Sequence, residues 1–190
     1  MIDYAVRMVQ FDQHRLLSNL QACELNSQVI DGLADRCARF HSHAATAPPG
    51  SEVGTPDQVR KPILENFGFL CKVDESMQGL VANLKEQTLL KFSKLREACD
   101  SRRSNGMMRE RHGDLHLGNM FLDDDEVTIF DGIEFNEEFR WIDIVNDIAF
   151  AIMDFEDRGL CCQSKRFLNR WLERTGDYDG LNVLAFYGSY

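Results

Sequence analysis

Two short stretches hold most of the residues that could do chemistry. The first is His112-Gly113-Asp114-Leu115-His116-Leu117-Gly118-Asn119, and the second is Ile129-Phe130-Asp131-Gly132. Asp114, Asn119 and Asp131 offer oxygen ligands, the kind magnesium prefers, usually as one or two carboxylates completed by phosphate and water. Phosphoryl transfer from a nucleotide asks little covalent work of a protein. It needs a carboxylate near the acceptor hydroxyl and a metal held against the phosphates. Asp114 and Asn119 lie five positions apart on one loop, and Asp131 ends the strand that returns toward it. A tight hairpin would bring Asn119 and Asp131 together. Two other readings compete. His112 and His116 with Asp114 resemble zinc ligands, although His14, His41 and His43 sit in the helical first part and complete no cluster. Alternatively, the stretch is a surface hairpin whose acids are merely solvated.

The elements around these residues must position them. Residues 107–111 read as a strand. Met120–Leu122 and Val127–Phe130 read as a hairpin around the turn Asp123-Asp124-Asp125-Glu126. Helical spacing of Trp141, Ile144, Val145, Ile148, Ile152 and Phe155 predicts a helix over about 139–158. On it, Asp143 and Asp147 form a like-charge pair one turn apart. Asp147, beside Ile148 and Ala149, is expected to be buried and to bond the backbone of the His112–Asn119 loop, while Asp143 is expected on a solvated face. Upstream, residues 3–9 read as a short strand and about 13–43 as two helices, with stripes Leu16/Leu17/Leu20 and Leu33/Ala34/Cys37/Phe40. After a loop at 44–55, Thr55-Pro56-Asp57-Gln58 has the makings of a helix start, with a capping Thr, a Pro at the first position and a Gln three residues after the cap. That helix is expected to end near Gly68. The longest helix spans about 75–103, with Leu80, Leu84, Leu90 and Leu95 assigned to the core and Asn105-Gly106 ending it. Two more helices follow, near 160–174 and 179–190, and Trp141 and Trp171 are assigned to the core.

Composition limits the alternatives. A chain of 190 residues with 44% hydrophobic and 27% charged residues is a globular mix with room for one core. A formal charge of −10 disfavours nucleic acid and anionic membranes as partners, both of which attract basic surfaces. It suits a cationic acceptor. The six cysteines make no CxxC pair and read as free thiols in a reducing compartment. No stretch has the length of a signal peptide or a membrane span, so a soluble, cytoplasmic protein is expected.

The motifs together resemble the catalytic loop and metal-binding turn of the protein-kinase-like fold, in its aminoglycoside-phosphotransferase and choline-kinase branch. Leu33-Ala34 with Phe40-His41 resembles a helix of that family, and Asp147-Ile148-Ala149 resembles its Asp-Leu-Ala. The phrase FDGIEFNEEFRWIDIVNDIAF resembles an uncharacterised bacterial subgroup. The resemblance covers about residues 3–190. It implies an α+β, protein-kinase-like fold represented mainly by its helical C-terminal lobe: residues 1–12 as the remnant of an N-terminal-lobe strand, and 13–190 as the catalytic lobe with its loop and hairpin at 107–135. It implies ATP and Mg²⁺ as cofactors and a small-molecule hydroxyl as acceptor. Asp114 would be the catalytic base, and Asn119 and Asp131 the metal ligands. His112 and His116 would shape the loop or approach phosphate, and Asp147 would support the loop. Arg7 stands where the family has its phosphate-pairing lysine, and Glu134 lies one residue beyond the family's usual second acid. The family's glycine-rich phosphate-covering loop is not found, so it is expected upstream of Met1. The chain is then a fragment, inactive alone. A catalytically silent, kinase-like binding module is the alternative.

Overall fold

The computed structural model describes residues 12–48, 50–73, 75–133 and 141–189. The expected strand at 3–9, Arg7 and Glu134 lie outside them. The described residues form an α+β arrangement of six α-helices and two small antiparallel sheets. The helices are α1 (Ser27–His43), α2 (Pro56–Val73), α3 (Gln78–Ser104), α4 (Ile144–Asp157), α5 (Cys161–Thr175) and α6 (Leu181–Tyr187). The strands are β1 (Met108–Glu110), β2 (Met120–Asp123), β3 (Glu126–Ile129) and β4 (Trp141–Asp143). Among the described residues no helix is long and apolar enough to cross a membrane.

Helix α1 starts at Asn26, whose side chain accepts from the amides of Gln28 (2.9 Å) and Val29 (3.1 Å) and so satisfies two orphan donors. It buries Val29, Ile30, Leu33, Ala34, Cys37, Ala38 and His41, the stripe a 3.6-residue period requires. Phe40 falls outside that stripe and is exposed. Next to the stripe, Asp35 takes both Arg170 and Arg174 of α5 in two-point hydrogen bonds, and Asp31 takes Arg166. The hydrogen bonds from Arg174, then Arg170, hold the Asp35 carboxyl well below the usual carboxylate range despite its partial burial. Helix α2 begins as expected, with Pro56 first and the Thr55 hydroxyl accepting from Gln58 N (3.4 Å). It runs past Gly68 to Val73.

Four expectations need correcting. The first part of 13–43 is not an α-helix. Gln13–Arg15 and Leu17–Asn19 are single 3-10 turns, and Leu16 bridges to Phe121 of β2, because three leucines in five residues suit a short turn pressed on a sheet as well as a helix. The α3 leucines Leu80, Leu84 and Leu90 are exposed, and only Leu95 leans on the core. The buried face of α3 is instead Val81, Thr88, Phe92, Cys99 and Arg102. Trp141 belongs to β4, paired with Glu110 of β1, and is half-buried, whereas Trp171 is core. Asp143 is fully buried, not solvated.

Asp143 and Arg102 belong to one cluster. The Arg102 guanidinium donates to both carboxylate oxygens of Asp143 and to both of Asp177. Asp143 also caps α4 by accepting from Val145 N (3.0 Å). Burial works against the Arg102 charge, but the hydrogen bonds to Asp177 and Asp143 outweigh it and hold its proton more firmly than usual. This ties α3, the β4–α4 junction and the segment before α6 into one body. Arg102→Ala would leave two buried carboxylates without a cation. It is expected to cost about 3–5 kcal/mol in urea unfolding, and a loss below 1 kcal/mol would mean the cluster is dispensable.

Candidate active site

Strand β2 turns into β3 through Asp124 (φ 43°) and Asp125 (φ 70°), two left-handed residues in succession. Such a pair makes the type I′ turn whose twist suits a hairpin, and aspartate tolerates that conformation better than most residues. The register pairs Met120 with Ile129. One step beyond, Phe130 N donates to Asn119 O (3.0 Å), so Asn119 and Asp131 stand at the same end of the hairpin. Asp131 leaves β3 with φ 60° and is exposed.

The loop entering this hairpin is locked by its own side chains. His112 is buried, and its Nε2 lies 2.8 Å from Phe130 O. A carbonyl can only accept, so that nitrogen carries the proton, and Nδ1 accepts from Asp114 N (3.3 Å). Both ring nitrogens are thereby committed to backbone, which removes His112 from any zinc set. Among the described residues no cluster of three His, Cys, Asp or Glu is placed to hold a metal ion. Gly113 has φ 87°, and a Cβ there would sit 3.0–3.1 Å from Ile133, so this position requires glycine. His116 caps the short turn Leu117–Asn119 by accepting from Gly118 N at Nδ1 (3.0 Å). Its proton is therefore on Nε2, which faces Asp114 Oδ2 at 3.5 Å.

Asn119 Nδ2 donates to Asp114 O and to Asp114 Oδ2, each at 3.0 Å. This fixes the amide so that Oδ1, its acceptor atom, is turned away from Asp114. The Asp114 carboxyl is 39% exposed and so reachable from outside. Asp114, Asn119, His112 and His116 are thus one hydrogen-bonded unit, with Asp131 joined to it through the β3 backbone. An amide oxygen and a carboxylate at one hairpin end, with a second carboxylate on the neighbouring loop, are hard oxygen donors of the type Mg²⁺ takes.

Helix α4 holds this loop from beneath. Asp147, fully buried, accepts from His112 N (2.9 Å) and His41 Nε2 (3.3 Å) at one oxygen, and from Gly113 N (3.0 Å) and Arg111 (3.1 Å) at the other. Burial pushes its carboxyl upward. The His41 hydrogen bond, the Arg111 charge and the amide bonds outweigh burial and hold the carboxyl well below the usual range. His41 is itself oriented by Trp171, whose Nε1 donates to its Nδ1 (3.2 Å). Two turns further along α4, Asp154 accepts from Leu117 N (2.8 Å) and pairs with Arg158. Sequence reading missed Asp154, although its i+7 spacing from Asp147 puts both on one helix face. It also missed Arg111, whose place before His112 gives no sign that it neutralises Asp147.

Beside the loop lies a cleft of about 620 Å3, walled by Pro48, residues 51–54, α2, Trp141, Ile142 and Phe150, with Arg111 and Gly113 on its loop side. Phe150 meets the His116 ring edge to face at 6.1 Å, so the cleft and the Asp114 loop share a wall.

A sequence profile of the phosphotransferase enzyme family matches residues 3–184. Similar proteins include an uncharacterised protein of Mycobacterium bovis and uncharacterised proteins of two Mycobacterium tuberculosis strains. Each is 30% identical over 181 residues, covering 94% of this chain and 36% of the relative. The chain therefore spans about a third of the length of the curated relatives it matches. With the profile covering nearly all of its length, the chain belongs to the phosphotransferase enzyme family.

Proposed function

We propose that the described residues form the catalytic, C-terminal lobe of a protein-kinase-like small-molecule kinase that moves the γ-phosphoryl group of ATP to a hydroxyl. The observation that carries this reading is the Asn119–Asp114 hydrogen-bonded pair standing at the hairpin end with Asp131. Asp114 takes the proton of the acceptor hydroxyl. Its carboxylate is exposed enough to meet substrate and is aimed by Asn119 and by its amide bond to His112. Asn119, through Oδ1, and Asp131 would hold Mg²⁺, which neutralises phosphate charge when bound. His116, its Nδ1 accepting from Gly118 N, turns Nε2 toward Asp114 and places a donor near the reacting groups. His112 and Asp147 are positioning residues, since each spends its polar atoms on the loop itself.

The test is ³¹P NMR of the full-length protein with MgATP and a pool of small-molecule alcohols. A new phosphomonoester signal that requires Mg²⁺ is expected. Asp131→Ala should raise the Mg²⁺ concentration needed by at least about tenfold. ATP that binds but is never consumed would favour a silent nucleotide-binding module.

A further inference from the structure

We propose that Asp154 is a positioning residue for the metal end of the site: with Arg158 it braces the turn that carries Asn119, as Asp147 braces the start of the same loop. The proposal rests on the kinase reading above, in which Asn119 holds Mg²⁺. Asp147 and Asp154 stand two turns apart on one face of α4, about 10 Å along its axis. Asp147 takes the amides of His112 and Gly113. Asp154 Oδ2 takes the amide of Leu117 (2.8 Å), the first residue of the Leu117–Asn119 turn. His116 takes the other two amides of that turn, Gly118 N at Nδ1 and Asn119 N at its carbonyl. Every donor of the turn is therefore met, and the one at its start is met from outside the loop.

An ion pair one helical turn apart, such as Asp154–Arg158, contributes little when it only decorates a surface. Two features set this pair apart. The Asp154 side chain is 15% exposed and divides its oxygens, Oδ2 to the loop and Oδ1 to Arg158 Nε (2.8 Å). Arg158 in turn donates to Ser18 O (3.1 Å) in the Leu17–Asn19 turn, where Leu17 is buried and the neighbouring Leu16 bridges to Phe121 of β2. One carboxylate thus links α4, the loop and the turn joined to β2. Leu117 is fully buried, so loss of Asp154 would leave a buried donor unmet, and the turn would have to shift to satisfy it. Asn119 would move with the turn, and the Nδ2 bonds to Asp114 that aim its Oδ1 would move as well. Asp154 therefore acts on the metal ligand, while Asp147 acts on the loop ahead of the base.

The test uses the full-length protein and two variants. Asp154→Ala keeps a strong helix former in α4 but removes the acceptor. Asp154→Asn keeps a carbonyl oxygen for Leu117 N and loses only the charge. Hydrogen exchange read by mass spectrometry should quicken by at least about tenfold at Leu117–Asn119 in Asp154→Ala, with His112 and Gly113 unchanged, and should stay near wild type in Asp154→Asn. In the transfer assay, Asp154→Ala should raise the half-saturating Mg²⁺ concentration by at least about tenfold, while kcat at saturating Mg²⁺ falls by less than about threefold. Asp154→Asn should restore the wild-type Mg²⁺ requirement. Unchanged exchange at Leu117–Asn119, a uniform rise across the fold, a kcat loss without a change in Mg²⁺ requirement, or Asp154→Asn as impaired as Asp154→Ala would each overturn the proposal. Exchange needs neither nucleotide nor turnover. A wild type that transfers no phosphoryl group would therefore remove the kinase reading, and the brace would stand or fall on the exchange pattern.

Discussion

Asp114→Ala in the full-length protein is expected to lower kcat for phosphoryl transfer by about 10³-fold while leaving the fold and MgATP binding intact. A positioned carboxylate that accepts a proton in the transition state contributes on the order of 10²–10⁴-fold. A loss of 10³ corresponds to about 4 kcal/mol of barrier. Stability should not follow, because the Asp114 side chain is 39% exposed and its one close hydrogen bond is from Asn119. Its backbone contacts, the carbonyl accepting from Asn119 and the amide donating to His112, survive the change. The measurement is a pair of curves: steady-state transfer and thermal unfolding. Retained kcat would remove Asp114 as the base. A collapsed melting curve would make it a structural residue instead.

Asp147→Ala is expected to do the opposite, costing about 3–5 kcal/mol of stability and disordering the loop with it. Four donors converge on this carboxylate: His41, Arg111 and the amides of His112 and Gly113. Without it, Arg111 loses the carboxylate that balances its buried charge, the costly half of a broken buried pair. The acid side of the stability curve supplies a sharper reading. The folded carboxyl titrates below its ordinary value of 3.8. Its contribution is therefore fully present above that value and is lost as pH falls through the folded one. The gap in unfolding free energy between wild type and Asp147→Ala should be flat from neutral pH down to about 4 and should narrow below it. A gap constant down to strong acid would mean that the site's contribution does not depend on a carboxylate.

How much of this was legible in the sequence depended on range. The hairpin could be read because its signals are local: four acidic residues between two apolar runs, with Asp124 and Asp125 able to take left-handed backbone. The start of α2 was legible for the same reason, from Thr55, Pro56 and Gln58. The exposed leucines of α3 were not. Leu80 and Leu84 fit a helical stripe, but which face meets the core is decided by Phe92, Cys99 and Arg102, whose partners lie far along the chain. Trp141–Asp143 looked helical because its residues extend the period of α4, yet pairing with Met108–Glu110 draws them into a strand. Asp143 was misplaced because its partner Arg102 is 41 residues away. The loop around Asp114 was legible in residue type and spacing. The donors beneath it, His41 and Arg111, gained their roles only through tertiary packing.

The most direct test of the central claim is calorimetric titration of MgATP into the full-length protein and its Asn119→Ala and Asp131→Ala variants. Mg²⁺-dependent binding is expected in the wild type, weakened by at least about tenfold in each variant. Binding that is equal in all three, or that needs no metal, would contradict the assignment of Asn119 and Asp131 to the magnesium site.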